Sequence, residues 1–452
     1  MAATSNVTSA FIDLATYDEL ERYLYGGDDA IAYFVRETRK ATWFSQVPVA
    51  LTQEQTAGFG STFSYKISRA GDYLLQVWLR ATISAVTAAG GVSLAWCRNL
   101  MHNLIEECSI SFNDLVAARF DSYHLDFWAA FTVPAGKQNG YDNMIGNFAD
   151  LTSPDTALAA QTLNLPLPLF FTRNSGVALP TAALPYNEMK LTFKTRNWTE
   201  LLLAFTTGAA SAPANATIAS TNGTAPSLSN VQCWANYAIV SNEERTRMGQ
   251  NPRDILIEQV QTAPLQTFAP LTNPNPSYDI RFSHAVKTLF FGCMNTTTGS
   301  SNDRSNYTTA QRYWSGVAGS AIVEGTAAAD PIATTSLVYE NTLRLAAMGS
   351  DYYSLVQPFY QPNAVIPQET GYHMYSYSLD FLALDPMGST NYGKLTNVSA
   401  RPVPSASATT NAAGNGSAIA GNGVAQTWSF VLTSVSNNVI RVSGGALGFP
   451  VL

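Results

Sequence analysis

At 452 residues the chain is too long for one ordinary domain, and its 46% hydrophobic and 11% aromatic content is enough for two packed cores. Charged residues make up only 13%, against roughly 25% in a typical soluble domain, and Ser, Thr, Asn, Ala and Gly fill the gap. The net charge is −7 and the longest basic grouping is Arg36, Arg39 and Lys40, which argues against direct nucleic-acid binding, since that needs clustered cations. A polar, weakly charged surface suits subunit contacts, whose centres are depleted in charge. It equally suits an extracellular β-sandwich with Ser/Thr-rich loops, and composition does not separate the two.

Residues 1–16 have neither the basic start nor the sustained apolar run of a secretory signal, and no apolar stretch approaches the roughly 18 residues that suggest a membrane span. Residues 18–25 (DELERYLY) carry acidic residues in the first turn and stop at Gly26-Gly27, as a short capped helix does; Asp28-Asp29 then reads as a solvated turn. From there strands dominate. Residues 61–68 (STFSYKIS), 73–83 (YLLQVWLRATI), 104–112 (LIEECSISF) and 115–120 are β-prone and separated by turn signals at 69–72 and at Asn113-Asp114. Residues 163–171 (LNLPLPLFF), 187–195 (NEMKLTFKT) and 231–240 (VQCWANYAIV) continue the pattern. Pro166 and Pro168 imply an edge or loop-proximal position, because proline cannot donate to a ladder. Many short strands punctuated by Gly, Pro and Asn predict a sandwich.

Residues 241–248 (SNEERTRM) predict a second short helix, with Asn242 able to cap and Glu243 and Glu244 suited to the positive end of its dipole. Its position between two strand sets makes it a linker. A faint internal repeat supports the split. Residues 43–48 (WFSQVP) resemble residues 257–263 (IEQVQTA), each followed by a gap and a strand–turn–strand, so that Gln46 matches Gln259 and Ser68 matches Ser283. Near the end of each half, Gln232-Cys233-Trp234 recurs as Gln426-Thr427-Trp428 after the loop-like runs 208–230 and 405–423. Two β-sandwiches in tandem, each of roughly 200 residues, is the architecture this favours.

No catalytic signature is present. His102, His124, His284 and His373 are scattered, with no HExxH pair, and there is no P-loop and no GxSxG. Glycines at 414–416 and 421–423 read as loop and not as a dinucleotide fingerprint. Glu106-Glu107 sits in a strand, where neighbouring side chains point to opposite faces and cannot jointly flank a glycosidic bond. His284, at a strand end near Lys287, reads as structural or interfacial. Tyr372, Tyr375 and Tyr377 read as core or interface packing, with a sugar-stacking platform as the sharper alternative. Cys97, Cys108, Cys233 and Cys293 show no CxxC spacing; two bridges are formally allowed, but four buried free thiols in a reducing compartment is the reading taken. Sequons at Asn6, Asn197, Asn215, Asn222, Asn295, Asn306, Asn397 and Asn415 are what chance gives in so Asn/Ser/Thr-rich a chain. With no secretory signal, the chain is expected to be made in the cytoplasm and unglycosylated. The assignment is therefore no catalytic, cofactor or metal residue.

Particular segments carry a resemblance. FIDLAT (11–16), LYGG (24–27), SRAGDYL (68–74), LMHN (100–103), SFND (111–114), YDNMIG (141–146), LPLFFTR (167–173) and LPYNE (184–188) resemble iridovirus major capsid proteins. So do LIEQVQ (256–261), RFSHAVKTL (281–289), DPMGSTNYG (385–393) and GGALGFPVL (444–452), all collinear from end to end. The fish-infecting members look closest, and residues 205–230 and 296–333 diverge most.

The resemblance implies an all-β fold of two tandem eight-stranded jelly rolls (a double jelly roll) with few short helices. The expected division is an N-terminal arm over residues 1–40, a first roll over 41–240, a linker helix over 241–250 and a second roll over 251–452. It implies a non-enzymatic viral shell protein whose homotrimers form pseudo-hexagonal capsomers on an icosahedral lattice. The expected partners are further copies of the chain, minor capsid proteins and a nearby inner viral membrane that the chain does not span. The expected location is the virion capsid, with synthesis and assembly in the host cytoplasm. The alternative kept open is a carbohydrate-binding β-sandwich; a β-sandwich hydrolase would need convergent carboxylates or a triad that the sequence does not offer.

Overall fold

The computed structural model describes residues 2–310, 312–318, 320–324, 328–414 and 424–449. Most of the glycine-rich loop, with Asn415, Gly416, Gly421 and Gly423, lies outside them, as do residues 450–452 of the C-terminal motif. The chain divides into two compact units, residues 1–43 and 44–452. Within the first, helix α1 (Ala2–Ala15) was not expected; it has no acidic residue in its first turn and no basic one in its last. Helix α2 (Glu19–Leu24) is the expected one: the Asp18 carboxylate accepts the Glu19 N–H at 2.6 Å, and acidic side chains occupy the first turn.

Among its described residues the second unit contains sixteen principal sandwich strands, eight in each half. In the first half they are β1 (Phe44–Ala50), β2 (Thr62–Lys66), β3 (Tyr73–Ile83), β4 (Ile105–Phe112), β5 (Leu115–Asp121), β6 (Gln161–Pro166), β7 (Met189–Thr195) and β8 (Leu228–Val240). They form two antiparallel sheets in the orders β1-β8-β3-β6 and β2-β7-β4-β5. The second half supplies β9 (Arg253–Thr262), β10 (Tyr278–Asp279), β11 (Ala285–Asn295), β12 (Ile332–Tyr339), β13 (Thr342–Gly349), β14 (His373–Ser376), β15 (Val398–Pro404) and β16 (Trp428–Ser443). Their sheets run β9-β16-β11-β14 and β10-β15-β12-β13, the same order with eight added to every number. Each half is thus a jelly roll, with its first strand paired to its last, and shorter strands extend the sheets and loops.

Local chemistry explains the registers. In β3 the buried positions are Leu74, then Val77, Leu79, Ala81 and Ile83, so the period of two slips once. The slip coincides with a bulge, since Asn236 faces Gln76 while Tyr237 faces Leu74; the extra residue resets which face points inward. The expected strand over 163–171 ends at Pro166, which lies on the edge strand β6. With two prolines unable to donate, Leu167, Leu169, Phe170 and Phe171 leave the ladder and bury themselves as a loop.

Of the further helices that were not expected, the longest are α3 (Ser122–Thr132) and α4 (Ala135–Ile145). Asp121 ends β5 and caps α3, its carboxylate accepting the His124 N–H at 2.9 Å. Between the rolls runs α5 (Asn242–Gln250), whose N-cap is Ser241 and not Asn242. Asn242 already sits in the first turn, where its Oδ1 accepts from Arg245. Arg245 makes a forked pair with Asp72 at 2.7 and 2.9 Å, which ties this helix to the turn before β3.

The hydrophobic interior does not respect the division into rolls. The largest cluster fills the first roll and also takes in Ile255, Ile257, Ile440, Val442 and Leu447 of the second. Another joins Phe127 and Phe131 of α3 to Phe290, Met294, Tyr307, Tyr372, Met374 and Phe381. The second roll's own sandwich core contains Tyr278, Phe291, Trp428 and Phe430.

Candidate functional site

Buried polar residues along the line where the rolls meet are the first place to look for chemistry. Asp126, on α3, accepts from His102 Nδ1 at 2.9 Å and Asn99 Nδ2 at 3.3 Å on one oxygen. Its other oxygen accepts the Ser305 hydroxyl at 2.8 Å and the Tyr307 hydroxyl at 3.3 Å. With Nδ1 donating to Asp126, the His102 Nε2 accepts the Tyr141 hydroxyl at 2.6 Å. The residue types are those of a nucleophilic triad, but the wiring is not. Ser305 is bonded to the carboxylate and not to the imidazole, so the histidine is not placed to take its proton as a triad requires. The network carries side chains from both rolls and satisfies them where they meet.

A second buried network couples the rolls by charge. Lys287 of β11 is fully buried and donates to Glu258 of β9 and to the Ala383 carbonyl. Arg173 from the first roll pairs with the same Glu258, donates to the Leu382 carbonyl at 2.6 Å, and lies over the Trp128 ring at 4.6 Å. Burial lowers the Arg173 guanidinium to about 10. His124 next to it is held down at about 3, first by burial and then by the Arg173 charge. Largely buried charges that pair with one another in this way fix a geometry.

The other singled-out residues fall apart as a site. Glu106 pairs with Lys194 at 2.8 Å, whereas Glu107 is exposed and borders Arg119 and Val260; the Lys194 ammonium feels both charges but is hydrogen-bonded by Glu106. His284 is exposed at a left-handed position (φ 65), while Lys287 is buried. His373 is buried, bonded to Asp330 at 2.6 Å and stacked on Phe291. Tyr372 packs on Phe127 and Tyr307, and Tyr375 on Tyr353. The Tyr377 hydroxyl joins those of Tyr339 and Tyr392 beside the second roll's core, so these rings are packing and not a sugar platform. Cys97, Cys108, Cys233 and Cys293 are free and buried, and burial pushes each thiol up, which leaves them inert. A groove of about 560 Å³ lies between β3, β6, α3 and α4, lined by Trp78, Leu125, Trp128, Met144, Pro166 and Arg173. Among the described residues, no group of three or more His, Cys, Asp or Glu side chains could hold a metal ion.

What remains is a surface where strands of different rolls lie side by side. Along it β5 of the first roll runs against β9 of the second. Gln259 Nε2 donates to the Ala117 carbonyl at 2.7 Å, and Ala117 and Ile257 are buried there. Thr262 donates to Asp121 further along the same line. Sequence reading noticed Gln259 only as half of a repeat; its contact with Ala117, 142 residues away, leaves no trace in local spacing.

Comparison with known proteins agrees with this picture. A family described as "Major capsid protein N-terminus" matches residues 32–240, and one described as "Large eukaryotic DNA virus major capsid protein" matches residues 244–448. The major capsid protein of Costelytra zealandica iridescent virus is 58% identical, covering 100% of this chain and 99% of its own. Those of Lymphocystis disease virus 1 (isolate Darai) and Frog virus 3 (isolate Goorha) are 52% and 42% identical, over 100% and 99% of this chain and 99% of each relative. That of Invertebrate iridescent virus 6 is 57% identical, so nothing here gives fish-infecting members a special nearness. Among solved structures, PBCV-1 VP54 superposes with a TM-score of 0.72 at 20% identity, covering 93% of this chain and all of its own. The Faustovirus major capsid protein does so at 0.69 and 12% identity, over 94% of each chain; both show the shared fold.

Proposed function

The chain belongs to the iridovirus major capsid proteins, within the large eukaryotic DNA virus family, and on that premise we propose that three copies close into a pseudo-hexagonal capsomer that tiles an icosahedral shell. Its role is structural and its place is the virion capsid. One observation carries the trimer: two jelly rolls with the same strand order stand in one chain. Three such chains bring six similar rolls round an axis, and a head-to-tail contact repeated three times closes the ring.

The working division is an arm over residues 1–40, a first roll over 41–240, a linker over 241–250 and a second roll over 251–452. The end of β8 at Val240, the start of β9 at Arg253 and the gap between the two family matches support it. No residue is assigned a catalytic, cofactor or metal role. Minor capsid proteins and an inner viral membrane are the proposed neighbours of the arm, which carries exposed Phe11, Ile12, Leu14, Tyr23 and Phe34 within its own unit. Among the described residues no helix is long and apolar enough to cross a membrane. Synthesis and assembly in the host cytoplasm, with no direct contact to the genome, complete the reading; the free thiols and the sparse, unclustered basic residues support those two points.

Light scattering on the purified chain, with the same peak imaged by negative stain, tests the trimer. The expected particle has three times the 48.7 kDa chain mass and a hexagonal outline. A folded monomer that persists at high concentration would sink the reading.

A further inference from the structure

The strands that join the two rolls inside one chain have counterparts that are left uncovered, and the counterparts match. Resting on the trimeric reading above, we propose that β1 of one copy lies along β13 of the next, with Gln46 donating to the main-chain carbonyl of Arg344.

The hairpins β4–β5 and β12–β13 are the same object. Each turns through two residues with positive φ, Asn113 (47°) and Asp114 (67°) in one, Glu340 (46°) and Asn341 (65°) in the other. Each then drops one residue from its pairing. Ser111 faces Val116 and Ile110 faces Ala118, skipping Ala117; Val338 faces Leu343 and Leu337 faces Leu345, skipping Arg344. Ala117 and Arg344 are therefore equivalent. Inside the chain, the Ala117 carbonyl receives the Gln259 side chain. Arg344 stands exposed on an edge strand, next to a Leu343 that is 61% exposed. An open edge strand with an apolar side chain invites another strand unless something covers it.

The covering strand has a counterpart too. In the internal seam β9 presents buried Ile257 and, two residues on, Gln259. At the matching places β1 presents Phe44, 54% exposed, and Gln46. Each glutamine's Oε1 accepts from an asparagine of the adjoining last strand, though from opposite diagonals: Asn438, facing Ile257, reaches Gln259 at 3.0 Å, and Asn236, facing Pro48, reaches Gln46 at 3.1 Å. In the seam this leaves the Gln259 amide N–H free to reach Ala117. At Gln46 the Oε1 is likewise occupied, which leaves the amide N–H of this exposed side chain to donate elsewhere. Each chain thus holds one complete seam and one half of a seam at either end. Three copies in a ring then make six similar seams, three internal and three between chains, with neither β1 nor β13 left over.

The test uses the full chain with Gln46→Cys and Arg344→Cys, singly and together, treated with a short bis-maleimide; the four native thiols are buried and stay unreactive. Only the double variant is expected to give covalent dimers and trimers. Leu343→Asp, on an exposed side chain, is expected to keep the far-UV spectrum of the parent while raising the concentration for half-assembly at least about tenfold. A parent trimer whose double variant does not cross-link, or whose Leu343→Asp form assembles normally, overturns this pairing and leaves the trimer standing. A parent that stays monomeric overturns both.

Discussion

His124 shows what this interior asks of a single side chain. Its ring is enclosed by Phe120, Trp128 and Phe290, and burial together with Arg173 holds it at about 3, against 6.5 in an unfolded chain. Between those two values the unfolded chain binds a proton that the folded one refuses. The stability tied to neutral His124 is therefore complete above pH 6.5 and is lost progressively as pH falls towards 3, amounting to roughly 4–5 kcal/mol across the window. His124→Phe keeps the aromatic packing and removes the proton uptake. Urea unfolding at several pH values should show a flatter decline below pH 6.5 in the variant; identical slopes would mean that another group drives acid unfolding. Asp126 makes the same point without titration. Its four donors come from positions 99, 102, 305 and 307, so the carboxylate reads the docking of one roll on the other.

At the scale of elements, close approach is what the fold depends on. Gly292 lies in β11 beneath the ring of Phe127; a Cβ there would come within 2.8 Å of the Gly371 carbonyl and 3.2 Å of the Phe127 ring. Gly292→Ala should therefore lower stability by about 1–3 kcal/mol, read as a shifted urea midpoint. Adding Phe127→Ala should not restore it, because the nearer obstacle is backbone. The strands were legible for a simple reason. Residues 77–83, 108–112 and 189–195 alternate between a buried and a more open side, and that period survives in sequence. Helix α3 was not legible, because SYHLDFWAAFT is buried on several sides, with Leu125, Asp126, Phe127 and Ala129 all inside, which erases a 3.6-residue pattern. The hairpin at Glu340-Asn341 was missed because glutamate is a poor signal for a positive φ. The matching Asn113-Asp114 turn carried the usual residues and was read. The buried networks were out of reach in principle, since Asp126 and Ser305 are 179 residues apart.

For the whole second unit, shared cores make a claim about cooperativity. The first roll's interior is completed by Ile255, Ile257, Ile440, Val442 and Leu447, and the second packs Phe290, Tyr372 and Phe381 against Phe127 and Phe131 of the first. Cutting the chain between residues 240 and 251 would strip apolar surface from both rolls, and losing a single buried Phe contact set already costs about 3–5 kcal/mol. It would also leave Lys287 and Glu258 without Arg173, and Asp126 without Ser305 and Tyr307. With net stabilities of roughly 5–15 kcal/mol, neither fragment has enough left to hold a unique structure. Calorimetry of the full chain should therefore give one transition for residues 44–452. Fragments 41–240 and 251–452 produced separately should lack any cooperative melt. Should an isolated fragment melt sharply near the temperature of the full chain, the rolls would be independent modules joined by a linker. The shared interior would then be a consequence of their proximity. If they melt only together, the building block of the shell is the pair, which keeps the internal seam rigid enough to serve as the template for the seams between chains.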